Sequence, residues 1–311
     1  MDGRFLNVRS LIENIRPTYL SCHPRVVMAQ SARRSQIVSV ALPGSLTLDI
    51  PHLREKTARL GFVSRALATF RVEEAIIYRD RTGAEVDREA ILIEKMLTYI
   101  ETPQYLRRLL FKMDPDLQYA GTLPPLRTPS HPDKQAPNPG LLREGVVVQS
   151  GSSSMIEAGF RNLVRVRSKL PTSERLTIRL TKDLPELEGE IVEPSRLTIY
   201  WGFRVARGNV SLPEIVRSRK FDLTISTSRK GTDVREITPD LTKKWKSSSH
   251  PLIVFGSPNE GIPEILARSG MNVSSAMDFN LNTIPDQGVQ TVRTEEALWG
   301  SLAVLNVLEG K

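Results

Sequence analysis

The sequence predicts an α/β protein whose parallel sheet is interrupted by a small closed β-barrel. Two observations lead to this fold class. Short apolar strands alternate with amphipathic helices up to about residue 126 and again after residue 209, an order typical of parallel sheets. Between these parts, residues 144–205 contain five short strand-like runs without a convincing helix, a pattern typical of small barrels.

The first α/β part is predicted from four apolar runs. Residues 36–44 are rich in β-branched side chains and end in Pro-Gly, which predicts a buried strand. Apolar residues at helical spacing predict a helix over 53–70, and residues 73–80 form a second predicted strand. A longer helix is predicted over 88–111, with an interruption at Pro103.

A proline-rich boundary precedes the barrel. Residues 114–140 contain seven prolines, which indicates a loop. The predicted barrel strands are GVVVQ, NLVRVRSK, RLTIRLTK, LEGEIV and LTIYWGFRV. Beyond them the predicted elements are the helix LPEIVRS, the strands FDLTIST and LIVFGS, a helix within NEGIPEILARS, the strand AMDFNLN and a final helix.

These patterns divide the chain into four parts. A basic N-terminal extension is predicted at 1–35, and its first 27 residues, before Met28, have no core pattern. The α/β domain is predicted at 36–126 and 208–311, and the barrel at 127–207.

Composition excludes several protein classes. No run of about 18 apolar residues is present, so no transmembrane helix is predicted. The single cysteine, Cys22, excludes a disulfide framework and fits a reducing cytoplasm. No metal site is expected, because the sequence has no CxxC motif and its four histidines are far apart: His23, His52, His131 and His250.

Basic charge is distributed unevenly along the chain. The net charge is +8. Residues 1–35 carry six Lys/Arg against two Asp/Glu, residues 127–209 carry thirteen against nine, and the remaining segments are balanced. Such clustering favours a polyanionic partner such as nucleic acid. A solvated basic surface would give the same counts, so charge alone leaves both interpretations open.

Three strand ends in the C-terminal part run into polar, glycine-bearing loops: DLTISTSRKG, LIVFGSPNEGIP and DFNLNTIPDQGVQTVRTEE. Ligands of open α/β sheets bind outside the carboxyl ends of the strands, so the loops predict a pocket, although glycines also simply allow tight turns.

GSPNEGIP has Ile262 and Pro263 where a P-loop needs Lys-Ser/Thr, which excludes a P-loop NTPase. No GxGxxG follows the first strand, so a Rossmann dinucleotide site has no support.

The same loops resemble those of a known enzyme class. VFGSPNEGI followed by NTIPDQGVQTVRTEEAL is similar to the paired cofactor loops of SPOUT RNA methyltransferases, whose C-terminal chain forms a trefoil knot. More narrowly, DPDLQYAGTLPPL, LREGVVV, YWGFRV and DLTISTSRKG resemble the archaeal and eukaryotic SPOUT family that carries an inserted OB-like barrel. The resemblance covers roughly residues 36–311.

This resemblance implies an S-adenosylmethionine-dependent RNA methyltransferase that acts as a homodimer, with each cofactor loop at the subunit interface. The implied substrate is ribosomal RNA, and the implied target is a base nitrogen, such as that of a uridine. A non-catalytic RNA-binding factor that keeps the fold is the alternative.

Cofactor contacts are implied at the loop residues. Pro285 is expected to stiffen the last loop, and Gly288 to let its backbone approach the ligand closely. Thr294 is the expected N-cap of the final helix, with Glu295 and Glu296 in the first turn. The implied cofactor-binding residues are Thr227, Phe255, Gly256, Gly261, Ile284, Gly288, Val289, Thr291, Val292 and Thr294.

Catalysis requires little beyond alignment, because a sulfonium donor is already activated. A ring N–H target also needs a base. The candidate catalytic residues are two carboxylates, Glu260 and Glu295, and two guanidinium groups that suit a phosphate or a base oxygen, Arg229 and Arg293. A role in helix capping or ion pairing is the alternative to catalysis for the two carboxylates.

The barrel carries a separate nucleic-acid signal in RNLVRVRSK. Val164 and Val166 alternate there with basic residues, which predicts a strand with one basic face. The expected RNA-binding residues are Arg161, Arg165, Arg167 and Lys169. A solvated edge strand is the alternative.

Overall fold

The computed structural model describes residues 32–132, 135–218 and 220–309. The expected extension at 1–27 lies outside the described residues. None of the helices in the described ranges is long and apolar enough to cross a bilayer.

The described strands and helices follow the predicted α/β order around a central run of strands. The strands are β1 (Ser39–Pro43), β2 (Glu74–Arg79), β3 (Leu142–Gln149), β4 (Ser154–Glu157), β5 (Val164–Val166), β6 (Arg175–Lys182), β7 (Glu188–Ile191), β8 (Arg204–Ser211), β9 (Leu223–Asp233), β10 (Pro251–Val254) and β11 (Phe279–Asn282). The α-helices are α1 (Leu53–Thr69), α2 (Ala84–Glu101), α3 (Gln104–Leu110), α4 (Leu212–Arg217), α5 (Val234–Ser247), α6 (Ile262–Ala267), α7 (Val273–Ala276) and α8 (Thr294–Leu308). Pro103, where an interruption was predicted, separates α2 from α3 as the N-cap of α3.

Six strands form one sheet in the order β11-β9-β10-β1-β2-β8. Every neighbouring pair is parallel, which confirms the predicted parallel α/β architecture. Side chains alternate between two buried faces. Val40 and Leu42 of β1 join one apolar core, whereas Ala41 joins the other together with Tyr78. Burial on both faces explains why these strands read as continuous apolar runs.

A closed five-stranded barrel, β3-β4-β5-β7-β6, interrupts this domain. The barrel has its own apolar core, which includes Ile156, Val164 and Ile178. The closed barrel confirms the prediction, but one predicted strand was wrong. The end of LTIYWGFRV belongs to β8, which pairs with β2 at the sheet edge, because Phe203 packs into the sheet core. Strand β4 takes the fifth barrel position instead, and the predicted boundary between 207 and 208 falls inside β8.

Helix α5 was not predicted, because Pro239 and many polar residues obscure its apolar stripe. Its buried side chains are Val234, Leu241 and Trp245. Their spacing of seven and four residues puts them on one helical face, and this face packs against the core shared with α8.

A buried ion-pair network joins the barrel to the sheet domain. Arg175 of β6 donates two hydrogen bonds to Glu101 at the end of α2, at 2.7 and 3.0 Å, and one to Glu144 of β3 at 2.8 Å. Glu144 also accepts from Thr177 at 2.6 Å and from the indole of Trp201. The side chains of Glu101 and Glu144 are only 12% and 6% exposed, so the guanidinium neutralises two carboxylates that have little access to water.

We expect Arg175→Met to destabilise the protein by about 3–5 kcal/mol, because it leaves two buried carboxylates without their cation. Arg179 provides a matched control on the same strand, since its ion pair with Glu190 is 45% and 55% exposed. Arg179→Met should cost less than about 1 kcal/mol. Urea unfolding of both variants measures the difference, and equal costs would show that the buried network does not hold the barrel in place.

Candidate active site

The three predicted loops meet in one cleft at the carboxyl edge of β9, β10 and β11. The cleft has a volume of about 380 Å³, within the size range of small-molecule sites. Its walls combine apolar side chains such as Phe255 and Ile284 with polar groups such as Asn282 and Thr283. The parallel sheet therefore gathers three segments that are distant in sequence.

The first wall is a loop extruded from β9. Asn280 of β11 pairs with Ser226, but the next residue, Leu281, pairs with Thr232. Residues 227–231 are therefore looped out of the pairing and line the cleft through 227–230. Gly231 closes the loop where the two strands nearly touch, since a Cβ there would lie 2.6 Å from the carbonyl carbon of Leu281. Only glycine permits this approach.

The second wall is the tight turn after β10. The Ser257 N–H donates to the Glu260 carbonyl at 2.9 Å. A Cβ on Gly256 would lie 2.9 Å from that same carbonyl oxygen. Below the turn, the buried Tyr78 hydroxyl donates to the Phe255 carbonyl at 2.8 Å. The turn is therefore held by a hydrogen bond within it and by a second hydrogen bond from Tyr78 of β2.

Residues 283–293 form the third wall. The Arg229 guanidinium donates to the Gln290 carbonyl at 2.7 Å, and the Thr294 hydroxyl donates to the Gly256 carbonyl at 3.3 Å. Ile284 rests on Gly300 of α8, where a Cβ would come within 2.9 Å of its Cδ1. Each loop is therefore hydrogen-bonded or packed against another part of the site.

Eight of the ten expected cofactor-binding residues line this cleft: Thr227, Phe255, Gly256, Gly261, Ile284, Thr291, Val292 and Thr294. Gly288 and Val289 are not part of the lining. Val289 is 58% exposed. A Cβ on Gly288 would meet no atom within 4 Å, so the protein itself imposes no steric need for glycine at this position.

The four expected catalytic residues divide into two pairs. Arg229 and Glu260 line the cleft, and both Glu260 oxygens accept from Arg268, at 2.6 and 2.7 Å. Glu295 lies outside the lining. It is 8% exposed, and its Oε1 lies 3.2 Å from Nε of Arg59, so it belongs to the contact between α8 and α1.

Arg293 also lies outside the lining, because it is the N-cap of α8. The expected N-cap, Thr294, is instead the first residue of the helix. The Arg293 backbone N–H donates to the Glu296 carboxylate at 2.9 Å, while the Thr294 hydroxyl is used by Gly256. The cap therefore lies one residue earlier than predicted.

Sequence reasoning missed a third carboxylate, Glu264 in the first turn of α6. Glu264 lines the cleft and is exposed. Its Oε2 would lie 2.8 Å from a Cβ on Gly261, so it lies directly over that glycine. Unlike Glu260, it has no ion pair with any described residue. The sequence signal for Glu264 was its position three residues after Gly261 in NEGIPE. An acidic residue in the first turn of a helix is, however, commonly explained by its favourable interaction with the helix dipole.

The basic residues of the barrel are all exposed: Arg161, Arg165, Arg167 and Lys169. Strand β5 confirms the predicted alternation only in part, since it spans Val164–Val166 and contains only Arg165 of the four. The expectation of four basic residues on one strand was wrong, because the chain leaves the strand on either side. Arg167 pairs with Glu188 at 2.9 Å.

Comparisons with known proteins agree on one family. Residues 37–305 match a family described as "Putative RNA methyltransferase". The chain is 32% identical over 302 residues to the mouse 28S rRNA (uridine-N(3))-methyltransferase, which covers 88% of this chain and 76% of the mouse protein. It is 31% identical to the human enzyme of that name, covering 88% and 78%. It is also 31% identical to an uncharacterized protein of Halobacterium salinarum, covering 87% and 99%.

Two glycines of the cofactor loops should respond in opposite ways to an added Cβ. Gly231→Ala should destabilise the protein by about 1–3 kcal/mol, because the added Cβ meets backbone atoms that side-chain rotation cannot move. Gly288→Ala should stay within about 0.5 kcal/mol of the wild type, because the added Cβ meets open space. Denaturant midpoints of the two variants test this order. A Gly231→Ala protein as stable as the wild type would contradict the close approach of β9 and β11.

Proposed function

The chain belongs to the RNA methyltransferase family that matches residues 37–305, and from this premise we propose that it methylates N3 of a uridine in ribosomal RNA, with S-adenosylmethionine as the methyl donor. The observation that carries the proposal is the cleft, where three loops meet at the sheet edge that α/β proteins use for ligands. The target atom and RNA class follow the names of the mouse and human relatives.

The chemistry of the cleft suits this donor. Phe255, Ile284 and Val292 give it apolar surface for an adenine ring, while backbone groups of the loops offer hydrogen bonds to polar edges. The eight expected lining residues are the ones we propose to hold the cofactor. S-adenosylmethionine supplies a methyl group on a positively charged sulfur, so the protein has mainly to align the donor and the base.

Methylation at N3 also requires removal of the N3 proton. Two carboxylates among the described residues line the cleft, Glu260 and Glu264. Because Arg268 binds both oxygens of Glu260, we assign Glu260 to holding the turn after β10. Glu264 is exposed and has no described ion pair, so we assign it as the proton acceptor. Arg229 uses one N–H group on Gln290 and keeps others for a base oxygen or a phosphate.

Other features implied by the SPOUT resemblance belong to the same proposal: the knotted C-terminal chain, the OB-like character of the barrel, the cytoplasmic location and the homodimer. An exposed apolar side chain in the cofactor loop supports the dimer, since Val289 is 58% exposed. The exposed basic residues at β5 support contact between the barrel and RNA. Sedimentation analysis of the purified protein tests the dimer directly.

The proposed activity has a direct test. Ribosomal RNA from cells with and without the gene is digested to oligonucleotides, and its methylated positions are mapped by mass spectrometry. One 3-methyluridine should disappear with the gene and return when purified protein and S-adenosylmethionine are added. A protein that binds RNA but shows no S-adenosylmethionine binding in calorimetry would instead be the non-catalytic RNA-binding factor.

Glu264→Gln should lower the rate of methyl transfer by roughly 10²–10⁴-fold near neutral pH, the usual contribution of a general base. Its affinity for S-adenosylmethionine should be retained. Raising the pH should recover part of the lost rate, because hydroxide then competes to remove the N3 proton. The matched change Glu260→Gln removes the charge that Arg268 binds at the turn and should weaken cofactor binding instead. Full activity of Glu264→Gln would reject this base assignment and leave the proposed reaction intact.

A further inference from the structure

A second, larger groove lies where the barrel meets the sheet domain. Its volume is about 820 Å³. One wall comes from α3 and the segment that follows residue 125, and the other comes from barrel residues around 143, 160 and 184. Four arginines line it: Arg108, Arg127, Arg143 and Arg161. No Asp or Glu is found among the described residues of the lining.

Arg143 is the unusual member of this set. It is 4% exposed, and its Nη1 is buried without a hydrogen-bond partner. Its guanidinium lies 5.1 Å from the ring centroid of Phe160, and no described carboxylate pairs with it. Burial lowers the pKa of Arg143, but a guanidinium stays charged in proteins. The nearby Arg175 differs in both respects, because its side chain is 26% exposed and it binds two carboxylates.

An uncompensated buried charge costs several kcal/mol. An anion bound beside the guanidinium would offset this cost. The other three arginines strengthen this reading, because they are exposed and form no ion pair with any described residue. His131 adds no charge to the groove near neutral pH, because burial holds its pKa at about 4.

Aromatic rings accompany the charges. Phe160 lies beneath Arg143, and Tyr105 is held at the junction because its hydroxyl donates to the Glu144 carbonyl at 3.0 Å. Gly159, with φ of +79°, makes room for Tyr105, since a Cβ there would lie 2.8 Å from the ring. Arginines combined with aromatic rings are typical of surfaces that bind single-stranded nucleic acid.

We propose that this groove binds the RNA substrate at a backbone phosphate, and that Arg143 is the residue that receives this phosphate at the groove floor. The inference rests on the proposed function, because it takes RNA as the polyanion. It adds a recognition site at the joint between the two domains, separate from the cleft, and shares only Arg161 with the basic residues expected to bind RNA around β5. A free phosphate or nucleotide has the same anionic chemistry and is distinguished by the experiment below.

The test is the change Arg143→Met, which removes the charge and keeps an apolar stem over Phe160. Arg179→Met serves as the control, since Arg179 is an exposed barrel arginine outside the groove. Fluorescence anisotropy measures the binding of both variants and the wild type to a single-stranded RNA oligonucleotide at several salt concentrations. Parallel titrations use inorganic phosphate as the competitor and S-adenosylmethionine as the check on the cleft.

Arg143→Met should weaken RNA binding by roughly ten- to a hundredfold, the range for a lost charged hydrogen bond. The slope of log affinity against log salt should become shallower by about 0.7, the contribution of one single-strand phosphate. Thermal stability should be unchanged or higher, because an unpaired buried charge has gone, and S-adenosylmethionine binding should persist. Arg179→Met should match the wild type in RNA affinity.

Three results would overturn the inference. If Arg143→Met has the RNA affinity and the salt slope of the wild type, the RNA phosphate binds elsewhere. The proposed function would still stand in that case, because the wild type binds RNA. A lower melting temperature with lost cofactor binding would assign Arg143 a structural role. Phosphate binding that is present in the wild type and lost in Arg143→Met, with RNA affinity and salt slope equal in the two proteins, would identify a small-anion site instead. Failure of the wild type to bind RNA at all would count against the proposed function itself.

Discussion

The joint between the two domains is built around one half-buried guanidinium that binds two buried carboxylates. Arg175 leaves the barrel wall and binds Glu101, the last residue of α2, while it also neutralises Glu144 of the barrel. A carboxylate with so little access to water needs a group of opposite charge within hydrogen-bonding distance. This requirement favours one position of the barrel against the end of α2, and the groove lined by Arg143 lies beside that joint. The same interaction that stabilises the joint thus shapes the surface beside it.

The cleft depends on a different constraint, the parallel direction of the sheet. Because all six strands run the same way, the ends of β9, β10 and β11 lie side by side, although 48 residues separate Asp233 from Leu281. The loops then stabilise one another through main-chain carbonyl groups, as Arg229 does with Gln290 and Thr294 with Gly256. Polar side chains of the cleft serve the same purpose, since Thr227 donates to the Val254 carbonyl and Thr283 is hydrogen-bonded to Ser301.

The sequence predicted the parallel sheet, the barrel and most of the cleft wall, because apolar periodicity and glycine loops are local signals. It did not reveal β8, since Phe203 and Val205 fit a barrel strand and a sheet strand equally well until their neighbours are known. It placed the cap of α8 one residue late, because Thr294 is a good cap whose hydroxyl is used by a distant carbonyl. Glu264 and Arg143 had no distinguishing pattern. What sets them apart is the presence or absence of a partner across space, and that depends on the whole fold.

The register shift in β9 affects two properties of ligand binding: the conformational entropy lost by the loop and the association rate. Residues 227–231 are tethered on both sides by pairing with the same neighbouring strand, at Ser226 and at Thr232. A loop anchored this way has few conformations to lose when a ligand arrives, so little of the interaction energy is spent on ordering it. Capture should then proceed at a rate set by diffusion into an already shaped opening rather than by loop folding. The residence time of the bound molecule, more than its arrival, would limit how quickly the protein can turn over.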